Sequence, residues 1–121
     1  KKNIKNLLMD QTFVSGLGNI YVNEVLFMSR IRPLKKCNIL TDKQIITLIF
    51  NIKKILRFSI NKGGSSIKNF ENAFGESGKF QQFFYVYGKT NEKCSRISCK
   101  GKIKKITISG RSSFYCDKCQ I

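Results

Sequence analysis

The stretch CSRISC (94–99), followed by CDKC (116–119), decides how this chain is read. Its cysteines run C-x4-C-x16-C-x2-C, two short thiolate knuckles separated by a span long enough for one β-hairpin, the usual way of enclosing a tetrahedral zinc ion. Between them Lys100 to Ser109 alternates around Ile106 and Ile108, Gly110-Arg111 supplies a turn, and Ser112 to Tyr115 returns toward the second knuckle. The expected metal ligands are therefore Cys94, Cys99, Cys116 and Cys119, holding one zinc ion with an arginine at the hairpin tip. Four cysteine ligands leave no open position, so the metal is structural and activates no water. A unit this short cannot bury enough apolar surface to fold alone, and metal binding supplies much of its folding free energy. Two disulfides are the alternative. They suit a small secreted domain, but no signal peptide or membrane-spanning run is visible and a fifth cysteine, Cys37, is left over.

The remainder of the chain is strongly basic. With 121 residues, 41% of them apolar, it has room for one compact domain or two small interdependent modules. Lysines and arginines number 23 against 7 acidic residues, a net charge of +16 without histidine, which points to a polyanionic partner and first of all to nucleic acid. Compositional bias offers a second explanation, because 18 Lys, 16 Ile and 10 Asn are what an AT-rich genome produces without selection for binding. The finger is more telling. Arg96, Lys100, Lys102, Lys104, Lys105, Arg111 and Lys118 face only Asp117 within it, a local excess that favours phosphate contact. The thiolate cluster and the lack of secretory features fit a reducing cytoplasm.

Residues 1–12 read as a short basic helix that starts uncapped, with Ile4, Leu7 and Leu8 as its apolar stripe and Lys1, Lys2 and Lys5 outside it. In FVSGLGNIYVNEVLF (13–27), Gly16 and Gly18 precede a second apolar helical pattern. Glycines before a helix N-terminus make a site suited to phosphate, with Asn19 placed to cap it or donate a side-chain bond; an ordinary turn between helices reads equally well. Arg30, Arg32, Pro33, Lys35 and Lys36 form a basic connection to Thr41-Asp42-Lys43-Gln44, which has capping-box spacing. A long helix follows to Ile60, its apolar face made by Ile45, Leu48, Ile49, Ile52, Ile55 and Leu56 and its solvent face by Lys53, Lys54 and Arg57. GGSSIKNFENAFGESGKF (63–80) has four glycines and no clear period, the composition of a functional loop or a disordered connection. QQFFYVYGK (81–89) reads as a strand leading into the finger, with Tyr85 and Tyr87 on one face.

Together these segments resemble, essentially end to end, the C-terminal half of the bacterial formamidopyrimidine-DNA glycosylases, base-excision enzymes that remove oxidised purines. LLMDQTFVSGLGNIYVNEVLF is similar to their helix-two-turn-helix segment, GGSSIKNFENAFGESGKFQ to their damaged-base loop, and YVYGK and GRSSFYCDKCQ to the beginning and end of their finger. YVYG and GRSSFYC look closer to this branch than to the related endonuclease VIII branch. The resemblance implies a mainly α fold with a small β-hairpin zinc finger: a helix-two-turn-helix module over 1–62, a damaged-base recognition loop over 63–82 and a four-cysteine zinc finger over 83–121. It also implies a bacterial, cytoplasmic and nucleoid-associated monomer without a membrane, whose partner is double-stranded DNA containing an oxidised purine or an abasic site. Asn19 and Arg111 become phosphate clamps beside a flipped nucleotide, with Tyr87 and Lys105 as supporting backbone contacts. Ser65, Ser66, Ile67, Lys68, Asn69 and Phe70 lie over the extruded base.

Two departures stand out. The family's first knuckle is usually C-x2-C, so Arg96 to Ser98 must bulge. The family's nucleophile is an N-terminal proline amine, whereas the only proline here is Pro33, internal and locked in an amide. The expectation is thus the DNA-binding part of a glycosylase and abasic-site lyase whose N-terminal catalytic domain is missing, inactive by itself and with no catalytic residue of its own. A free-standing zinc-dependent DNA-binding module, or a zinc-ribbon protein-interaction module whose basicity is compositional, remain the alternatives.

Overall fold

The computed structural model describes residues 2–10, 18–61 and 84–121. Helix α1 spans Ile4–Met9, α2 Asn19–Met28 and α3 Asp42–Asn61; a 3-10 turn covers Cys37–Ile39, and the antiparallel strands β1 (Ile103–Ile108) and β2 (Arg111–Cys116) close the chain.

The first helix is shorter than expected and is capped. The Asn3 side chain accepts the Asn6 N–H at 2.8 Å, and the chain is extended again at Asp10. Its unpaired N–H groups are taken up by the Pro33–Lys35 connection, Ile4 donating to the Lys35 carbonyl at 2.8 Å and Lys5 to that of Pro33 at 3.1 Å. Ile4 and Leu8 are buried as expected, but Lys5 is buried with them rather than facing solvent.

Every residue of α2 from Tyr21 to Phe27 is buried, which is how a helix apolar on nearly all sides must sit. It packs against α1, α3 and β2 and is the central element of the described chain. The third helix begins with the capping box anticipated at Thr41: Gln44 N–H donates to Thr41 Oγ1 at 3.1 Å, and Thr41 N–H to Gln44 Oε1 at 2.9 Å. Leu48, Ile52, Ile55 and Leu56 meet the helical core, whereas Ile45 and Ile49 stay exposed, so its inward face is narrower than the periodicity suggested. Lys53, Lys54 and Arg57 are exposed.

The hairpin register pairs Ile103 with Cys116 and Ile108 with Arg111. Ser109 and Gly110 both have positive φ, 49° and 79°, so they form a tight two-residue loop. The turn therefore lies one residue earlier than Gly110-Arg111, and Arg111 is the first residue of β2. Phe84 to Lys89 make turns and bends rather than a strand, because the N–H groups of Tyr85, Val86 and Tyr87 go to a side chain of α2 and that of Lys89 turns back to the Val86 carbonyl, in place of a neighbouring strand. The core divides in two. One cluster joins Ile4, Leu8, Val22, Val25, Leu26, Ile31, Leu48 and Phe84; the other joins Phe27, Val86, Ile103 and Phe114 with the thiols of Cys94 and Cys116.

A candidate zinc centre and nucleic-acid rim

The Sγ atoms of Cys94, Cys99, Cys116 and Cys119 lie within 4.8 Å of one another. Sγ separations are 3.8 Å for Cys94–Cys119 and 3.6 Å for Cys99–Cys116. A tetrahedral site of four thiolates with Zn–S bonds of about 2.3 Å places its sulfurs roughly 3.8 Å apart, whereas a disulfide requires about 2.05 Å. All five cysteines are free thiols, and the cluster fits one structural zinc with no position left for water. The lengthened first knuckle closes as a tight turn, Cys99 N–H donating to the Arg96 carbonyl at 3.1 Å with Ser98 in the left-handed region at φ 71°. Gly101 is required beside it: a Cβ there would stand 2.6 Å from Cys116 Sγ. Burial pushes the Cys94 thiol up to about 12, whereas the Cys116 thiol, against its burial, is brought down by hydrogen bonds from the Cys119 and Lys118 N–H groups.

The second feature is a rim made by the start of α2 and the hairpin tip. Asn19 is the first residue of α2, and Gly18 occupies the cap position without a side-chain bond. Asn19 Nδ2 donates to the Ser112 carbonyl at 3.1 Å, directly beside Arg111. The same carbonyl accepts Lys5 Nζ at 3.1 Å and Asn23 Nδ2 at 3.4 Å, and Lys5 Nζ also donates to Ser113 Oγ at 2.5 Å. Three side chains from two helices thus fix the backbone that carries Arg111. The Arg111 side chain is exposed and has no hydrogen bond among the described residues. Burial and the positive charge of Arg111 lower the Lys5 amine from 10.5 to about 8.

Tyr87 is half-buried, its ring edge-on to Phe84 at 6.1 Å and to Phe114 at 4.9 Å between centroids. Lys105 is exposed on β1 and pairs with Phe114 in the register, which puts it on the Tyr87 side of the hairpin. Asn19 bonds to the carbonyl of the residue after Arg111, and Tyr87 touches Phe114, whose register partner is Lys105. Gly16 and the residues Ser65 to Phe70 lie outside the described residues.

Sequence reasoning missed the seam between the helices and the finger. Glu24, buried in α2, accepts the N–H groups of Tyr85 at 2.6 Å, Val86 at 3.1 Å and Tyr87 at 2.9 Å. Burial raises its carboxyl above the usual range, and the three donors oppose that shift. Asn23 Oδ1 accepts Phe114 N–H at 2.7 Å. Arg32 donates to the carbonyls of Gln120 at 2.8 Å and Asp117 at 2.6 Å, while Gln120 bridges Cys116 N–H and the Ile31 carbonyl. Arg96, counted from sequence among the phosphate-seeking cations, points inward instead, its Nη2 2.6 Å from the Phe27 carbonyl and its guanidinium 3.9 Å above the Phe27 ring. The available signal was Glu24: a lone carboxylate inside the apolar run IYVNEVLF must find donors if the helix is buried.

A helical bundle whose central helix meets a four-cysteine hairpin finger, with an asparagine and an arginine converging beside one carbonyl, defines a helix-two-turn-helix protein with a zinc finger. Residues 1–71 match the family model described as the formamidopyrimidine-DNA glycosylase H2TH domain, and residues 91–121 the zinc finger found in FPG and IleRS. The chain belongs to the formamidopyrimidine-DNA glycosylase family. It is 47% identical over 117 residues to the formamidopyrimidine-DNA glycosylase of Roseobacter denitrificans, covering 97% of this chain and 41% of that protein. Against the Bacillus subtilis protein of the same name it is 45% identical, with 97% and 42% covered. The Lactococcus lactis protein in complex with DNA containing an abasic site superposes with a TM-score of 0.81 at 48% identity, over 99% of this chain and 42% of that one. MutM in complex with DNA containing carbocyclic 8-oxo-G gives 0.81 at 46% identity. The chain thus spans well under half the length of these relatives. No described helix is long and apolar enough to cross a membrane.

Proposed function

We propose that this chain is the damaged-DNA-binding part of a base-excision glycosylase and abasic-site lyase acting on oxidised purines. The observation that carries the reading is the bond from the Asn19 amide to the carbonyl of Ser112, the residue next to Arg111. One N–H of the Asn19 amide is spent on that carbonyl, leaving the second, with the free guanidinium of Arg111, to grip phosphates flanking a distorted nucleotide. Tyr87 and Lys105 extend the contact along the finger, and Ser65 to Phe70 form the loop over the extruded base. The chain divides into a helical module over 1–62, that loop over 63–82 and the finger over 83–121. It works as a monomer in the bacterial cytoplasm, at the nucleoid. The zinc takes no part in bond making and holds the hairpin that presents Arg111.

Chemistry on the sugar needs an unprotonated amine at the lesion and an acid to open the ring. Pro33 is internal and buried, its carbonyl engaged by Lys5 N–H, and cannot supply the amine. The 121-residue chain is therefore expected to bind DNA containing an abasic site without excising 8-oxoguanine or leaving a covalent adduct after borohydride trapping. Trapping at the rate of an intact family enzyme would overturn this. Binding should fall steeply with salt. Arg111→Ala should weaken it by about 1–3 kcal/mol and Lys54→Ala hardly at all. Equal losses from the two substitutions in a fluorescence-anisotropy titration would mean a diffuse basic field rather than this rim.

A further inference from the structure

The four zinc ligands are not supported alike. Cys99 Sγ accepts Gly101 N–H at 3.4 Å, Cys116 Sγ accepts the N–H groups of Lys118 and Cys119 at 3.5 Å, and Cys94 receives the Arg96 N–H. Each of these donors is backbone from the ligand's own knuckle. Cys119 differs, taking Nη1 of the Arg96 side chain at 2.8 Å from the opposite knuckle. The same guanidinium donates through Nη2 to the carbonyls of Phe27 at 2.6 Å and Met28 at 3.4 Å, the last residues of α2, and sits over the Phe27 ring. A planar fork bonds a sulfur and a helix end through two separate nitrogens, a wider reach than the single nitrogen of an ammonium.

We propose that Arg96 is the positioning residue through which the zinc site holds α2, the helix that begins at Asn19. Four thiolates around a divalent ion carry a net negative charge, and a helix C-terminus carries a partial negative charge, here at a Phe27 carbonyl that also accepts the Arg30 N–H at 3.1 Å. Arg96 satisfies both with one cation. The first knuckle turns tightly between Arg96 and Cys99, and the arginine side chain reaches from its start across to α2. Removing the donor leaves Cys119 Sγ without its side-chain partner and more electron-rich, and frees the last turn of α2. The effect on DNA contact rests on the functional reading above; the effects on metal and helix do not.

The test uses the zinc-loaded 121-residue chain with Arg96→Met, which keeps an apolar stem on Phe27, and Arg96→Lys. Zinc transfer to excess chromophoric chelator should be about tenfold faster or more in Arg96→Met, the usual scale for loss of an outer-sphere partner, and intermediate in Arg96→Lys. In the cobalt-substituted protein, the thiolate-to-metal charge-transfer band should move to lower energy. Amide exchange at Ser29 to Ile31 should rise about tenfold with the metal still bound, and affinity for abasic-site DNA at saturating zinc should drop severalfold. Zinc transfer within twofold of the parent, or unchanged exchange at the end of α2 alongside faster transfer, would overturn the proposal. If Arg96→Met fails to fold, Arg96→Lys decides: threefold faster transfer supports the assignment and parental transfer refutes it. A parent chain that does not bind abasic-site DNA would refute the functional reading instead, with metal transfer and exchange still deciding the role of Arg96.

Discussion

The helical module and the finger are built on opposite principles. Ile4, Leu8, Val22, Val25, Leu26, Ile31 and Leu48 form a core of aliphatic side chains from three helices and a connection, held by removal of apolar surface from water. The finger's cluster of Phe27, Val86, Ile103 and Phe114 borrows one residue from α2 and uses thiols for the rest of its interior. Such a unit has too little apolar surface for independent folding and depends on the ion and on its neighbour. Between the two lies a seam that is neither apolar nor metallic, made of Lys5, Asn23, Glu24, Arg32 and Arg96 bonded mostly to main-chain atoms. Stability of this protein is therefore divided among burial, coordination and buried hydrogen bonds, each vulnerable to a different perturbation.

The largest effect that would separate the two regions is loss of a ligand. Cys116→Ser should abolish stoichiometric zinc binding and collapse the finger's dispersed amide resonances, because the ion contributes on the order of 10 kcal/mol to such folds. Resonances of Val22, Val25 and Leu48 should persist. Full metal content with an unchanged hairpin spectrum would remove the distinction between the modules. Glu24→Ala tests the seam and should cost about 2–4 kcal/mol in urea denaturation, since the buried N–H groups of Val86 and Tyr87 lose a charged acceptor. A loss of only a few tenths would mean that the seam is incidental to docking.

The smallest effect concerns Lys5. Its amine is lowered from 10.5 to about 8 by burial and by Arg111, so the folded state releases this proton before the unfolded state does. The burial penalty is in full force below about pH 8 and is relieved as pH rises toward 10.5, so the Lys5 contribution to stability grows across that window. Arg111→Ala should move the Lys5 titration, followed by side-chain NMR, back upward. A Lys5 midpoint unaffected by that substitution would show that the two cations do not share a site.

What was legible follows the same division. Apolar periodicity located α2 and α3, and cysteine spacing located the hairpin and its metal, because both signals are local and repeat in sequence. The seam is carried by single residues whose partners lie up to 108 positions away, as Ser113 does from Lys5. Nothing in the spacing marks Lys5 as buried; a lysine beside an apolar stripe ordinarily reaches water. The part of the strand expected at QQFFYVYGK that is described, Phe84 to Lys89, failed for the same reason. Alternation there was read as a ladder, but the N–H groups of Tyr85, Val86 and Tyr87 are consumed by one carboxylate on α2. Asn19 stood out after its glycines and Arg111 at the hairpin tip, but pairing them came only from resemblance, and what links them is the Ser112 carbonyl, a group present at every position of every sequence.

Dependence on main-chain partners gives the bonds made by Asn23, Glu24 and Arg32 a one-sided genetic signature, which Arg96 and Gln120, reaching from the finger to the Phe27 and Ile31 carbonyls, do not share. Glu24, Asn23 and Arg32 contribute side chains, whereas Tyr85, Val86 and Phe114 answer them with N–H groups that any residue except proline provides, and Asp117 and Gln120 with carbonyls that every residue provides. Under a mutational drift toward lysine, isoleucine and asparagine, replacements on the finger side leave these bonds intact, while one replacement on the helical side strands several backbone groups at once. Divergence should accordingly accumulate at finger positions such as Tyr85 and Asp117 and stall at Glu24 and Arg32, so that the docking geometry is inherited through the helices.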